Sequence, residues 1–174
     1  CIMIYKDKSF ESNNFKVINF SNESFMNTIF VDCIFSGCNL SNVELNNSKF
    51  QNVQFNDCKL LGLDFSRCND FLMSFSFESC SLSLCIFSEL ELKNVKFVNC
   101  SVTECDFFKT NLARGTFEGS DLSGSRFDEC DLSFTSFKDA RNYLINPNKN
   151  ILKKTKFSSL QAVSLLDVFD IELV

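Results

Sequence analysis

Hydrophobic residues recur at every fifth position through most of this chain, with polar residues between them. Counting from Phe10, the series runs Phe15, Phe20, Phe25, Phe30, Phe35, Leu40, Leu45, Phe50, Phe55, Leu60 and Phe65. The frame slips by two residues over 66–71, resumes at Leu72 and runs every fifth residue to Phe137, with Val102 the single departure from Phe or Leu. A second position supports the first. Two residues before the large apolar one the side chain is usually small, as at Cys33, Cys38, Val43, Ser48, Val53, Cys58, Cys80, Cys85, Val95, Cys100, Cys105 and Thr110. The other three positions of each pentad are mostly Asn, Ser, Asp, Glu and Lys.

A period of five fits neither the 3.6 of an α-helix nor the 2.0 of a flat strand. It fits an all-β square coil in which each side is one short extended segment followed by a corner. Four pentads close one coil of 20 residues, and stacked coils pair main chain with main chain at about 4.8 Å. The large residue and the small one before it point inward. From residue 72 onward Leu and Phe alternate, a period of ten, so opposite sides of the square carry the same residue type. Phe77, Phe97, Phe117 and Phe137 are therefore predicted to stack in one column, faced by Phe87, Phe107 and Phe127. Stacked rings add roughly 0.5–1.5 kcal/mol per pair beyond area burial.

The pattern divides the chain into a solenoid over 1–139 and a C-terminal loop and helix module over 140–174. The slip at 66–71 reads as a bulge or corner kink between two stacks, or as a contact loop. In the first pentads the inward small position holds Lys8, Asn13, Ile18 and Glu23, as expected of an atypical terminal repeat that acts as a cap. After Phe137 the pattern breaks over Asn142–Asn150, and Leu152 and Phe157 fall back into register. Ser158 followed by Gln161 reads as a capping box opening an α-helix. Leu160, Val163, Leu166 and Phe169 form an apolar stripe on that helix, and Ile171 begins a strand-like alternation to Val174. A coil stack ends in unpaired backbone, so this module is expected to cover it. It does so by capping its own chain, or by also pairing with a second copy across a two-fold axis.

Composition narrows the chemistry. There are 22 Phe but only five Gly and one Pro, so the turns must come from other residues. No His is present, which removes the commonest general base and metal ligand. No phosphate-cradling glycine motif or HExxH string appears. The chain is thus expected not to be an enzyme, with no catalytic residues, metal, cofactor or small-molecule substrate. Eight of the ten Cys occupy the small inward position, which favours reduced core filler over disulfides or metal ligation. No stretch approaches a membrane span and no signal-peptide pattern opens the chain, so no membrane partner and a cytoplasmic location are expected. The numbered chain opens on Cys1 and is expected to lack its native start.

The run Ser120-Asp121-Leu122-Ser123-Gly124 is close to A(D/N)LXX, and residues 8–139 resemble the pentapeptide-repeat proteins. The resemblance implies a right-handed quadrilateral β-helix. The string from Tyr143 through Ile145-Asn146-Pro147, Asn150, Leu152-Lys153-Lys154 and Lys156-Phe157-Ser158 resembles the C-terminal module of the Qnr-type fluoroquinolone-resistance family. That likeness implies a tail-to-tail homodimer through Phe157, Leu160, Val163, Leu166, Phe169 and Ile171. It also implies a DNA mimic that binds type II topoisomerase (DNA gyrase or topoisomerase IV) and protects it from quinolones or gyrase-directed toxins. The acidic surface for that contact is Glu104, Asp106, Glu118, Asp121, Asp128, Glu129, Asp131 and Asp139. The alternatives are a solvated surface that only keeps a rod soluble, and a generic adaptor scaffold with another partner.

Charge bears on both readings. Net charge is −5. Residues 72–139 hold eleven acids against six cations, whereas 140–158 hold five cations and no acid. A rod of some six and a half coils would be roughly 31 Å long and its dimer roughly 60 Å, close to 20 base pairs of duplex. Duplex DNA carries one charge per about 1.7 Å, far denser than this surface. The cationic stretch from Arg141 to Lys156 lacks the interleaved exposed aromatics of a nucleic-acid site, so no nucleic-acid partner is expected. Several Qnr-type proteins interrupt their coils with longer loops; here there is only the two-residue slip.

Overall fold

The computed structural model describes residues 5–169 and 171. Its backbone winds as a β-solenoid whose parallel strands pair in register one coil apart. Phe10 pairs with Phe30 and Phe30 with Phe50 on face 1. On face 2 the register runs Phe15, Phe35, Phe55, Phe77, Phe97. Face 3 aligns Leu60, Leu82 and Val102, and on face 4 Asp64, Ile86, Asp106 and Arg126 follow one another. Each strand is only two to four residues long because the chain must turn after it.

The turns explain how so few glycines suffice. Outside the slip, the residue two places after the central Phe or Leu adopts a left-handed conformation, including Asn22 (φ 61°), Asn27 (φ 55°), Asn47 (φ 55°) and Asn94 (φ 63°). Asn tolerates this region better than other L-residues, because its short side chain bonds locally. Here it also bonds along the stack: Asn47 Nδ2 donates to Asn27 Oδ1 at 2.9 Å, and Asn27 Nδ2 to Asp7 Oδ1 at 2.7 Å. Many corners close with an i+3 amide to i carbonyl bond, such as Glu23 N to Phe20 O at 2.9 Å, a type II turn with the left-handed residue third.

The small inward position is chemically selected as well as sterically. In many pentads its hydroxyl or thiol donates to the carbonyl of a central residue in the coil before. Thr110 Oγ1 reaches Phe87 O at 2.8 Å, Ser125 Oγ reaches Val102 O at 2.8 Å and Cys130 Sγ reaches Phe107 O at 2.9 Å. Cys33, Cys38, Cys58, Cys80, Cys85, Cys100, Cys105 and Cys130 are all buried and unbridged, as the spacing predicts. Burial pushes the Cys130 thiol up to about 12, so it stays protonated and keeps donating.

Inside the tube the two predicted Phe columns are present. Phe77–Phe97 and Phe97–Phe117 stack at 4.9 Å, Phe117–Phe137 at 5.1 Å, and Phe87–Phe107 at 5.0 Å. The facing columns meet edge to face, Phe107 against Phe117 at 5.7 Å and 89°. This arrangement places ring edges on ring faces, which the aromatic quadrupole favours.

The slip differs from its sequence reading. The coil spacing does rise by two residues there, since Phe55 pairs with Phe77 and Leu60 with Leu82. Leu72, however, is not a core residue: it is 59% exposed and left-handed (φ 58°). The old frame continues past Phe65 and puts Asp70 at the central place, where an unpaired carboxylate resists burial. The chain therefore bows outward after a 3-10 turn at Phe65–Arg67, carrying Phe71 and Leu72 into solvent. Met73 and Phe75 fill the space, the Phe75 ring lying 5.3 Å from both Phe65 and Phe77.

Both ends are covered by aromatic residues. At the N-terminal end Lys8 and Asn13 are exposed rather than inward, since no earlier coil lies over them. Tyr5 instead packs on Phe20 at 4.9 Å. At the other end the chain drops two residues between Arg141 and Leu144, so that Leu144 pairs with Arg126, and regains them before Ile151. Tyr143 is buried there, 5.6 Å from Phe137 and from Phe157. The helix that follows spans Gln161–Phe169 and is wound as a 3-10 rather than an α-helix. The three-residue step of Leu160, Val163, Leu166 and Phe169 matches three residues per turn better than 3.6. The capping box does not form, because Ser158 Oγ accepts from Asp139 N at 2.8 Å instead. Ile171 is exposed outside any strand, and the rest of the expected strand-like segment lies outside the described residues.

Candidate interaction surfaces

The acids of the later coils project from all four faces. Asp131 lies on face 1, Glu118 on face 2, Asp121 on face 3, and Asp106 and Asp128 on face 4. Glu104, Glu129 and Asp139 occupy left-handed corners. Together they form an encircling belt rather than one patch.

Several of them have a local task that the sequence reading missed. The residue before the central one accepts a bond from the amide two places later, an Asx turn that shapes the corner. Asp106 Oδ1 accepts from Phe108 N at 2.9 Å, Asp121 Oδ1 from Ser123 N at 3.1 Å and Asp131 Oδ1 from Ser133 N at 2.9 Å. Asn39 and Asn111 do the same, so the amide serves as well as the carboxylate. The alternation of Asp and Asn at this position in the repeat was the available sign.

Cations temper the belt. Arg126 lies between Asp128 at 3.2 Å and Asp106 at 3.7 Å, Lys149 is 3.6 Å from Asp128, and Lys109 is 3.8 Å from Glu129. Arg141 sits 3.3 Å from Asp121. Hydrogen bonds from the Ser123 hydroxyl and the Asn142 amide, with Arg141 adding to them, hold the Asp121 carboxyl down at about 2. Glu104 and Asp139 have no ion-pair partner among the described residues.

The residues predicted for dimerisation divide into two sets. Phe157 is half-buried, stacked on Phe137 at 5.3 Å, and so belongs to the core. Leu160 (83% exposed), Val163, Leu166, Phe169 and Ile171 form an open apolar row, while Leu165 is the helix residue that packs on the core. The helix thus lays one side against the last coil and leaves an apolar side uncovered. Among the described residues no group of three or more His, Cys, Asp or Glu could hold a metal, and no helix is long and apolar enough to cross a membrane.

Comparison with known proteins agrees with this architecture. A model of the pentapeptide repeat region matches residues 8–70, and one of eight-copy pentapeptide repeats matches 105–141. The chain belongs to the pentapeptide-repeat family. A trypsin-treated variant of QnrB1, a plasmid-mediated fluoroquinolone resistance protein, superposes with a TM-score of 0.54 at 20% identity, covering 98% of this chain and 92% of that one. HetL, a pentapeptide repeat protein involved in heterocyst differentiation regulation in the cyanobacterium Nostoc, gives 0.41 at 13% identity over 84% and 86%. No curated protein matches the chain in sequence.

Proposed function

We propose that this protein is a non-enzymatic rod that binds a type II topoisomerase, gyrase or topoisomerase IV, in place of DNA and thereby protects it from quinolones or gyrase-directed toxins. The observation that carries the reading is an encircling acidic belt directly beside an uncovered apolar end. Two copies joined through Leu160, Val163, Leu166, Phe169 and Ile171 would bring their belts together around the dimer centre. The joined rod, roughly 60 Å long, would then offer acids from all four faces of the coils on either side of its centre. The Tyr143–Ser158 string, similar to the Qnr-type module, and the likeness in fold to QnrB1, a fluoroquinolone resistance protein, support the same reading. A cytoplasmic location follows from this partner and is part of the proposal.

Supercoiling assays with purified gyrase and ciprofloxacin test it. Micromolar protein should restore or inhibit supercoiling, and reversing Asp121, Asp128 and Asp131 together should abolish the effect. Neither rescue nor inhibition would end the reading. In light scattering the wild-type chain should have dimer mass and Leu166→Asp monomer mass.

A further inference from the structure

The edge between faces 1 and 2 differs from the rest of the surface. Over the last four coils its outward positions are Lys93, Asn94 and Lys96, then Ala113, Arg114 and Thr116, then Ser133, Phe134 and Ser136, then Lys153, Lys154 and Lys156. Register holds them in line. Lys96 bridges Thr116, Thr116 bridges Ser136, and Ser136 pairs with Lys156, while Arg114 N donates to Ser133 O and Phe134 N to Lys153 O, both at 2.8 Å. Six cations and no carboxylate occupy this strip, in a chain whose net charge is −5. Among the described residues only Lys93 has an ion-pair partner, Glu91 at 3.4 Å. Two acids border the strip without pairing with its cations: Asp131 Oδ1 accepts from Ser133 N at 2.9 Å, and Glu118 Oε1 accepts from Ser136 Oγ at 2.9 Å.

Phe134 holds the centre. It is 42% exposed at a left-handed corner (φ 61°). Arg114 from the coil before lies 6.0 Å from its ring centroid, and Lys154 from the coil after lies 5.8 Å away. An aromatic ring stabilises cations over its faces. Here it braces two of them outward instead of leaving them to search solvent.

We propose that this edge binds the phosphate backbone of duplex DNA without reading its sequence. The spacing of the cations admits either form of DNA, and the aromatic decides between them. Three coil steps at about 4.8 Å put six cations on about 14 Å, one per about 2.4 Å. Duplex DNA presents one charge per about 1.7 Å and a single strand one per about 3.4 Å. Single-strand sites also rely on open aromatic faces for base stacking. Phe134 has Arg114 and Lys154 over it, so the strip makes backbone contacts only. The absence of any other apolar side chain larger than Ala113 argues against an acidic protein, whose interface would need buried anchors. The inference does not rest on the topoisomerase reading, and its test contains no topoisomerase.

Fluorescence anisotropy of a labelled 30-base-pair duplex against the full chain tests it at several NaCl concentrations. Binding in the micromolar range is expected at 50 mM NaCl, with log K falling against log salt at a slope of about −4 to −5 for five unpaired cations. Arg114→Glu combined with Lys154→Glu should weaken binding at least about tenfold, and Lys16→Glu combined with Lys59→Glu, the same net change elsewhere, by less than about twofold. Circular dichroism checks that both variants fold; the milder pair Lys96→Gln and Lys156→Gln replaces the first if it does not. No binding at roughly 100 μM in 50 mM NaCl would overturn the proposal. So would equal losses from both double variants, tighter binding of the single strand, or competition by polyglutamate at equal charge.

Discussion

The solenoid is interrupted twice, over 66–74 and over 141–150, and the two interruptions are resolved differently. The first adds two residues for good and throws Phe71 and Leu72 into solvent, while Phe75 moves into the core. The second drops two residues and then returns them, so that Phe137 still pairs with Phe157 twenty residues on. There Tyr143 and Ile145 enter the core, and the chain between them and Ile151 turns through Pro147. In both places the frame gives way and the filling of the tube does not. Core packing, with its steep penalty for voids, outranks strict periodicity.

If filling is what holds the first interruption together, Phe75→Ala should be the most damaging change there. It leaves a cavity against Phe65, Phe77 and Phe87 and should lose about 3–5 kcal/mol in urea unfolding. Leu72→Ala, at the position the five-residue count puts in the core, should change stability by less than about 0.5 kcal/mol. Comparable losses from the two would reverse the assignment.

The second interruption has a different weakness. The Tyr143 hydroxyl is buried with no hydrogen-bond partner among the described residues. Tyr143→Phe should therefore raise the stability by about 1 kcal/mol, because an unsatisfied buried group is removed while the ring stays. A loss of that size would mean that the hydroxyl is bonded in solution. At the first interruption, Leu72→Gly should gain roughly 0.5–1 kcal/mol by relieving a left-handed Leu, read from the same urea midpoints.

The smallest effect concerns acid. The Asp121 carboxyl next to the second interruption titrates at about 2 in the folded chain, below its ordinary value of 3.8. A depressed carboxyl contributes stability above its unfolded value and loses it as pH falls through the folded one. Its contribution is thus complete above pH 4 and fades between pH 4 and 2. Asp121→Asn should flatten the fall in melting temperature over that window, lowering the value at pH 7 and leaving that at pH 2 little changed. An unaltered slope would show that the bonds from Ser123, Asn142 and Arg141 do not matter in solution.

The regular coils were legible from spacing alone because every inward residue is large and apolar or small. Phe97 and Phe117 lie where counting by five puts them. Counting could not locate the extra residues of the slip, since Leu72 and Phe75 are both apolar and only the placing of Asp70 decides between them. The helix is visible in the sequence as an apolar stripe, yet its winding is not, because steps of three fall on one face of an α-helix as well as of a 3-10 helix. The acidic residues were found individually, but their division between Asx turns and ion pairs depends on bonds across coils. Phe134 could have been noticed, as an aromatic at an outward corner of the pentad ending Cys130-Asp131-Leu132-Ser133-Phe134.

Amide hydrogen exchange across the first interruption puts the whole scheme to its sharpest test. Val53 N donates to Ser74 O at 3.1 Å, Asp57 N to Glu78 O at 3.0 Å and Ser81 N to Cys58 O at 2.9 Å, all joining the coils before and after the slip. If one filled tube runs through it, these amides exchange as slowly as Phe97 N and Phe107 N in the regular coils. Exchange at Val53, Asp57 and Ser81 orders of magnitude faster than at those two would mean two separate stacks, and the continuous rod would be wrong.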